Sequence, residues 1–255
     1  MRLAVLGSGS EGNAVYLEAS GTKILLDAGF SCRDLEARLT ALGVDPARID
    51  AILLSHEHGD HSRGAARFAG RFRTIVAGTK ATLRSAGLRS DTCRLLAFEP
   101  GEPFRMGSFR VATARVSHDA ADPVGFRVEA GAERIGFALD LGRSTEAIRD
   151  LLAGCQTLIL EANHDTEMLE QGPYPRELKT RLRGPHGHLS NGEAADLLGE
   201  VAGGSTRTVV LAHLSRTNNR PHLAHAAAQS ALRARGSAAR LVVADPYPAA
   251  RWIES

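Results

Sequence analysis

The chain has few cysteines, almost no lysine and no long apolar run, and each shortage excludes something. Cys32, Cys93 and Cys155 are the three cysteines among 255 residues. They lie far apart and are odd in number, so they make no disulfide framework, and none has a cysteine partner at metal-binding spacing. A structural zinc finger is thereby excluded, and a reducing, cytoplasmic setting is expected. No apolar run approaches a membrane span. The apolar part of Met1–Ser10 is too short for a signal peptide. No Pro/Gly/Ser-rich linker divides the chain, so one domain over residues 1–255 is expected. Lysine stands only at positions 23, 80 and 179, and every other basic residue is arginine. Arginine is the better bidentate phosphate ligand, but a GC-rich coding sequence gives the same bias. The net charge of +2 selects no partner, and nothing indicates an oligomer.

What is present is a mixture of short strands and helices. Apolar runs and alternation predict strands at 3–6, 14–18, 23–27, 51–54, 74–77 and 109–116 and a hairpin at 124–129 and 134–139, with early helices at 32–42, 63–69 and 79–86. Later strands at 157–160, 208–212 and 240–244 alternate with helices at 145–152, 175–182, 191–201 and 221–235. Ser190 and Glu193 form a capping-box pattern opening one of these helices. The class is α/β, with two sheets, helices outside and a site at one edge. Polar residues recur where strands end: Asp27, His56, His118, Asp140, Glu161 and His213.

The densest of these points is the segment from His56 to His61, directly after the apolar run Ala51–Leu54. His56 and His58 are two apart on extended chain, so their side chains share one side and Glu57 points away. Asp60 and His61 follow a bend at Gly59 and reach a second position. The helical His-Glu-x-x-His pattern of zinc proteases fails, because its second His must follow four residues after the first. A dinuclear site needs more donors, and the strand-end residues supply them. One metal takes His56, His58 and His118, the other takes Asp60, His61 and His213, and Asp140 bridges. Two cations held about 3.5 Å apart activate a bridging hydroxide at neutral pH. Imidazole and carboxylate donors without thiolate suit Zn or Mn, and also Fe.

This order of donors resembles the metallo-β-lactamase superfamily, a four-layer αββα sandwich. Asp27, in Leu25-Leu26-Asp27-Ala28-Gly29, matches that superfamily's early Asp, which orients the His loop. The segments Gly7–Asn13, Glu161–Asp165, His186–Asn191 and Ala212–Asn219 resemble the YycJ/WalJ branch. That resemblance implies a 5′-to-3′ exonuclease on double-stranded DNA. The order is also similar to the tRNA 3′-processing nucleases, but Leu189 replaces a hydroxyl residue and no tRNA-gripping arm is evident. The implied mechanism has Asp60 orienting the nucleophile and His188 protonating the leaving oxygen, with Glu161 or His164 orienting His188. Ser8, Ser10 and Asn13 on the glycine-rich loop, and Arg216, Asn218 and Asn219 after His213, are candidate substrate contacts. Arg176, Lys179 and Arg183 share one face of the 175–182 helix and read mainly as a solvated face. Rival readings are an RNA-processing nuclease, a thioester or lactone hydrolase, and a mononuclear-iron persulfide dioxygenase in which Asp60 and His61 do not bind the metal.

Overall fold

The computed structural model describes residues 1–244 and 250–253. In chain order the early elements are β1 (Arg2–Gly7), β2 (Ala14–Ala19), β3 (Thr22–Leu26), α1 (Cys32–Ala41), β4 (Ala51–Leu53), α2 (Gly59–Ser62), α3 (Ala65–Phe72), β5 (Ile75–Gly78), α4 (Lys80–Ser85), β6 (Arg94–Ala97), β7 (Phe104–Met106) and β8 (Phe109–Arg115). The later ones are β9 (Val124–Ala130), β10 (Glu133–Ala138), α5 (Glu146–Leu152), β11 (Thr157–Glu161), α6 (Thr166–Gln171), α7 (Arg176–Leu182), α8 (Asn191–Val201), β12 (Thr208–Ala212), α9 (Pro221–Ala234), β13 (Arg240–Val243) and β14 (Arg251–Ile253). The strands form two seven-stranded sheets, β14-β1-β2-β3-β4-β5-β6 and β13-β12-β11-β10-β9-β8-β7. Both are mixed, so the α/β class expected from the sequence is the one observed. No described helix is long and apolar enough to cross a membrane.

The chain divides into two compact units. The first holds Met1–Ala112, Ala120–Val124 and β14. In it β3, β4, β5 and β6 run parallel, so their carboxyl ends line one edge. Leu25, Ile52 and Val76 are fully buried, with Leu35 of α1 and Phe68 of α3 in the same core. At that edge Asp27 follows β3, and Ser55 and His56 follow β4. The register pairs Leu26 with Leu53, which sets Asp27 beside the chain leading to Ser55. Main-chain hydrogen bonds then lock the loops: Asn13 N donates to Asp60 O at 2.7 Å, Ala28 N to His61 O at 2.7 Å, and Gly29 N to Asn13 O at 2.9 Å.

Gly29 is required at that lock. A Cβ there would sit 1.7 Å from Asp60 O and 2.7 Å from Asn13 N, both backbone atoms. Gly29→Ala is expected to destabilise the fold by about 3 kcal/mol, because the clash cannot be relieved by a side-chain rotation. Chemical denaturation checks this; an unchanged midpoint would show that the loops move apart freely.

The second unit holds Thr113–Asp119 and Gly125–Ala244. Its strands β10, β11, β12 and β13 run parallel, with the β9–β10 hairpin antiparallel beside them. Asp140, Glu161 and His213 fall at the carboxyl ends of β10, β11 and β12. The capping box is present: Ser190 Oγ accepts from Glu193 N, and the Glu193 side chain accepts from Ser190 N.

The sequence-based expectation omitted β6, β7, β14, α6 and the one-turn α2, where it had only a bend at Gly59. β6 is a short, largely exposed edge strand with no alternation to betray it, and β14 exists only through its pairing with the distant β1.

Candidate active-site residues

Three of the six polar strand-end residues singled out in the sequence have positive φ: Asp27 at 61°, Asp140 at 56° and His213 at 55°. Such backbone costs about 1–3 kcal/mol and concentrates at functional sites. In each case the left-handed turn re-aims a polar side chain at the carboxyl end of a buried strand.

In the first unit Asp27 is fully buried and organises the His cluster. Its Oδ1 accepts from Ser55 N at 2.7 Å, and its Oδ2 accepts from Ser55 Oγ at 2.8 Å and from His61 Nδ1 at 2.7 Å. Because the Ser55 hydroxyl proton goes to Asp27, Ser55 Oγ can only accept from His56 Nδ1, 3.0 Å away. Both imidazoles are therefore protonated at Nδ1 and keep the lone pair on Nε2. This is how a second carboxylate layer prepares histidines for metal. The His56 ring lies 4.7 Å from that of His58 and 4.2 Å from that of His61, centroid to centroid. The Asp60 carboxylate lies 3.6 Å from His61 Nε2. Glu57 points elsewhere, as alternation predicts, and accepts from Ala121 N at 2.8 Å.

Asn13 supports the same cluster from the glycine-rich loop. Its Oδ1 accepts from Ser8 Oγ at 2.7 Å and Gly9 N at 2.9 Å. Its Nδ2 faces Gly9 O, Asp60 O and His61 Nε2 at 3.1, 3.3 and 3.1 Å. Two amide protons face three acceptors, and Gly9 O and Asp60 O can satisfy both.

In the second unit Glu161 takes the central place, fully buried. Its Oε1 accepts from His188 Nδ1 at 2.7 Å and from His213 Nδ1 at 2.8 Å. Its Oε2 accepts from Leu141 N at 2.8 Å and Leu189 N at 3.1 Å. Burial alone would push this carboxyl up, but His188 and His213 outweigh it and hold it well below the usual carboxylate range. With four donors on its two oxygens, Glu161 is an orienting group for both rings. Burial disfavours the charged form of His188, yet the charge and hydrogen bond of Glu161, helped by Asp140, raise its pKa.

Asp140, Glu161, His188 and His213 bring ligand-type atoms within 4.8 Å of one another. Asp140 Oδ1 lies 3.4 Å from His188 Nδ1, 3.6 Å from His213 Nδ1 and 3.7 Å from His118 Nε2. His118 Nδ1 donates to Gly187 O at 3.2 Å, which leaves its Nε2 lone pair outward. Burial, against the pull of Asp140, lowers the His118 pKa and favours this neutral form. Imidazoles and carboxylates side by side with no thiolate fit divalent-metal binding.

Four of the expected substrate contacts, Ser8, Asn13, Asn218 and Asn219, are buried. The polar groups of Ser8 and Asn13 are engaged in the brace beneath His61. In Asn218 the backbone O accepts from Asp165 N and the backbone N donates to Ser215 Oγ, while the buried side-chain amide has no hydrogen-bond partner among the described residues. Ser10 and Arg216 are exposed. On α7, Lys179 donates to Glu170 O and Arg183 pairs with Glu170, while Arg181 holds Asp119 at 2.5 Å. Of the two residues expected to orient His188, Glu161 contacts it. His164 is buried and held neutral mainly by burial, and its O accepts from Asn191 N.

Sequence reasoning missed Ser55, Asn163 and Asn191. Asn163 Nδ2 donates to His213 O at 3.0 Å, fixing the strained turn. Asn191 and Asn219 exchange side-chain hydrogen bonds at 2.9 Å, and Asn219 also donates to Ala162 O and Asn163 O. A buried Asn after a strand reads in sequence like any turn residue.

The Beta-lactamase superfamily domain model matches residues 22–214, and the chain belongs to the metallo-β-lactamase superfamily. It is an enzyme of that class, a metal-dependent hydrolase. It is 32% identical over 229 residues to Exodeoxyribonuclease WalJ of Streptococcus pneumoniae, covering 88% of this chain and 85% of that protein. It is 30% identical over 239 residues to Exodeoxyribonuclease YycJ of Bacillus anthracis, covering 92% and 90%. The metallo-beta-lactamase fold protein YhfI of Bacillus subtilis superposes with a TM-score of 0.74 at 17% identity, covering 99% of each chain, which speaks to the fold alone.

Proposed function

We propose that the chain is a metal-dependent exonuclease that hydrolyses the phosphodiester bonds of double-stranded DNA in the 5′-to-3′ direction. The observation that carries this is Glu161, which grips both His213, a donor in the family's ligand order, and His188, the candidate acid. One carboxylate thus sets the metal-binding and proton-donating groups together. Similarity to two exodeoxyribonucleases over most of the chain supports the substrate.

The proposed ligands are His56, His58, Asp60, His61, His118, Asp140 and His213, for two divalent cations of the Zn or Mn type. When bound, such a pair supplies a hydroxide nucleophile at neutral pH and neutralises charge developing on the phosphate oxygens. Asp27 and Ser55 keep His56 and His61 in the Nδ1–H tautomer. Asp60 orients the attacking oxygen. His188, tied through Nδ1 to Glu161, has its Nε2 free to give a proton to the leaving oxygen. Ser10 and Arg216, both exposed, contact the substrate.

The test is cleavage of end-labelled duplex by the purified chain with Mn or Zn, beside a chelator control. Label release from the 5′ end that the chelator abolishes is expected; turnover of a thioester or lactone with no release of label would overturn the reading. His188→Ala is expected to lower duplex cleavage by roughly 10²-fold while hydrolysis of bis(p-nitrophenyl) phosphate, whose leaving group needs no proton, is retained. Equal losses on both substrates would assign His188 a structural role.

A further inference from the structure

The stretch between His61 and Leu88 holds six basic residues, Arg63, Arg67, Arg71, Arg73, Lys80 and Arg84, and no Asp or Glu. The chain has 31 basic and 29 acidic residues in all, so the remainder is net negative and this stretch is a local excess. A coding bias toward arginine explains the choice of arginine over lysine but not the absence of acids. All six side chains are exposed.

The fold collects them. β4, β5 and β6 are adjacent and parallel, with α3 linking the first pair and α4 the second. Right-handed crossovers put both helices on one face of the sheet, and both pack on β5. α3 turns Ala65, Phe68 and Ala69 inward, which leaves Arg67 and Arg71 outward four residues apart. Like charges at that spacing repel each other. Arg71 is relieved by Glu36 at 3.1 Å and Lys80 by Glu99 at 3.3 Å. Arg63, Arg67, Arg73 and Arg84 have no carboxylate within salt-bridge reach among the described residues.

Position gives the surface a direction. Arg63 lies two residues beyond His61, and Lys80 opens α4 just past the carboxyl end of β5, so both sit at the edge carrying the His cluster. From there α3 and α4 lead away from that edge. The eight residues of α3 rise about 12 Å, the axial length of roughly three to four base pairs, with Arg63 just before the helix and Arg73 just after it.

We propose that the outer face of α3 and α4 is a docking surface for the phosphate backbone of a nucleic-acid duplex, engaging it several base pairs from the bond to be cleaved. This rests on the nuclease reading for its partner but concerns binding, so it is measured with cleavage switched off. Duplex affinity is determined in chelator, over a salt series, for the wild type and for R67Q/R84Q, with anionic and neutral lipid vesicles as parallel probes. Neither residue has a part in the catalytic groups. The variant is expected to fold normally by circular dichroism and to hydrolyse bis(p-nitrophenyl) phosphate at the wild-type rate. It is expected to bind duplex about tenfold more weakly, with a log K against log salt slope shallower by about two contacts at roughly 0.9 each. An unchanged affinity and slope would overturn the proposal, as would loss of vesicle binding with duplex binding intact. If the wild type cleaves no DNA yet binds duplex through Arg67 and Arg84, the nuclease reading fails and the docking surface stands.

Discussion

Asp60→Ala is expected to lower duplex cleavage roughly 10³-fold while leaving the fold intact. The two halves of that expectation come from different atoms of one residue. The Asp60 carbonyl is part of the main-chain lock, accepting from Asn13 N at 2.7 Å, and survives the substitution. The carboxylate, 3.6 Å from His61 Nε2 and about a quarter exposed, is the only part removed. Thermal unfolding should therefore be nearly unchanged, and metal content per chain should drop. A loss of less than tenfold with full metal content would remove Asp60 from the chemistry. A collapsed melting temperature would mean that the loss of activity reports unfolding.

Glu161→Gln should be the more damaging change to the protein as a whole. The carboxylate accepts four hydrogen bonds, two from imidazole N–H groups and two from backbone amides. A glutamine keeps the shape but turns one oxygen into an NH2 group, so at least one buried donor must face another donor. Breaking a buried charged cluster this way costs about 3–5 kcal/mol, and loss of an orienting carboxylate lowers metal affinity or activity roughly 10–100-fold. Denaturant unfolding and a zinc titration measure the two effects separately. Stability within about 1 kcal/mol of wild type, with unaltered affinity, would mean that the rings are held by packing instead.

Much of the candidate site was legible because its signal is local. His56, Glu57 and His58 alternate on extended chain, and three imidazoles and a carboxylate within six residues have few bland explanations. The α8 capping box was legible for the same reason, since Ser190 and Glu193 are three residues apart. β10, β11 and β12 were legible as apolar runs because they are buried on both faces. The strands β6 and β14 were not, because neither has a pattern of its own and both exist through their partners.

The substrate contacts were the weakest part. A glycine-rich loop and an Asn-rich turn after a ligand both suggest polar groups offered to a ligand. Ser8, Asn13 and Asn218 instead turn inward, and Asn13 meets His61 across a separation of 48 residues. The basic face of α3 and α4 escaped notice for the opposite reason. Its residues are spread over two helices and the turns flanking the first, on either side of β5, and only the crossover geometry gathers them.

The sequence by itself determined the kind of donor, its local order along the chain and the strand ends where each would fall, because residue type and spacing of a few positions settle those. Only the tertiary structure decided which nitrogen each histidine presents and which carboxylates orient others. It also decided which polar side chains are spent inside the protein. Those choices follow from hydrogen-bond saturation of buried groups, and the partners that saturate Asp27 and Glu161 come mostly from remote parts of the chain: Ser55 and His61 for the one, Leu141, His188, Leu189 and His213 for the other.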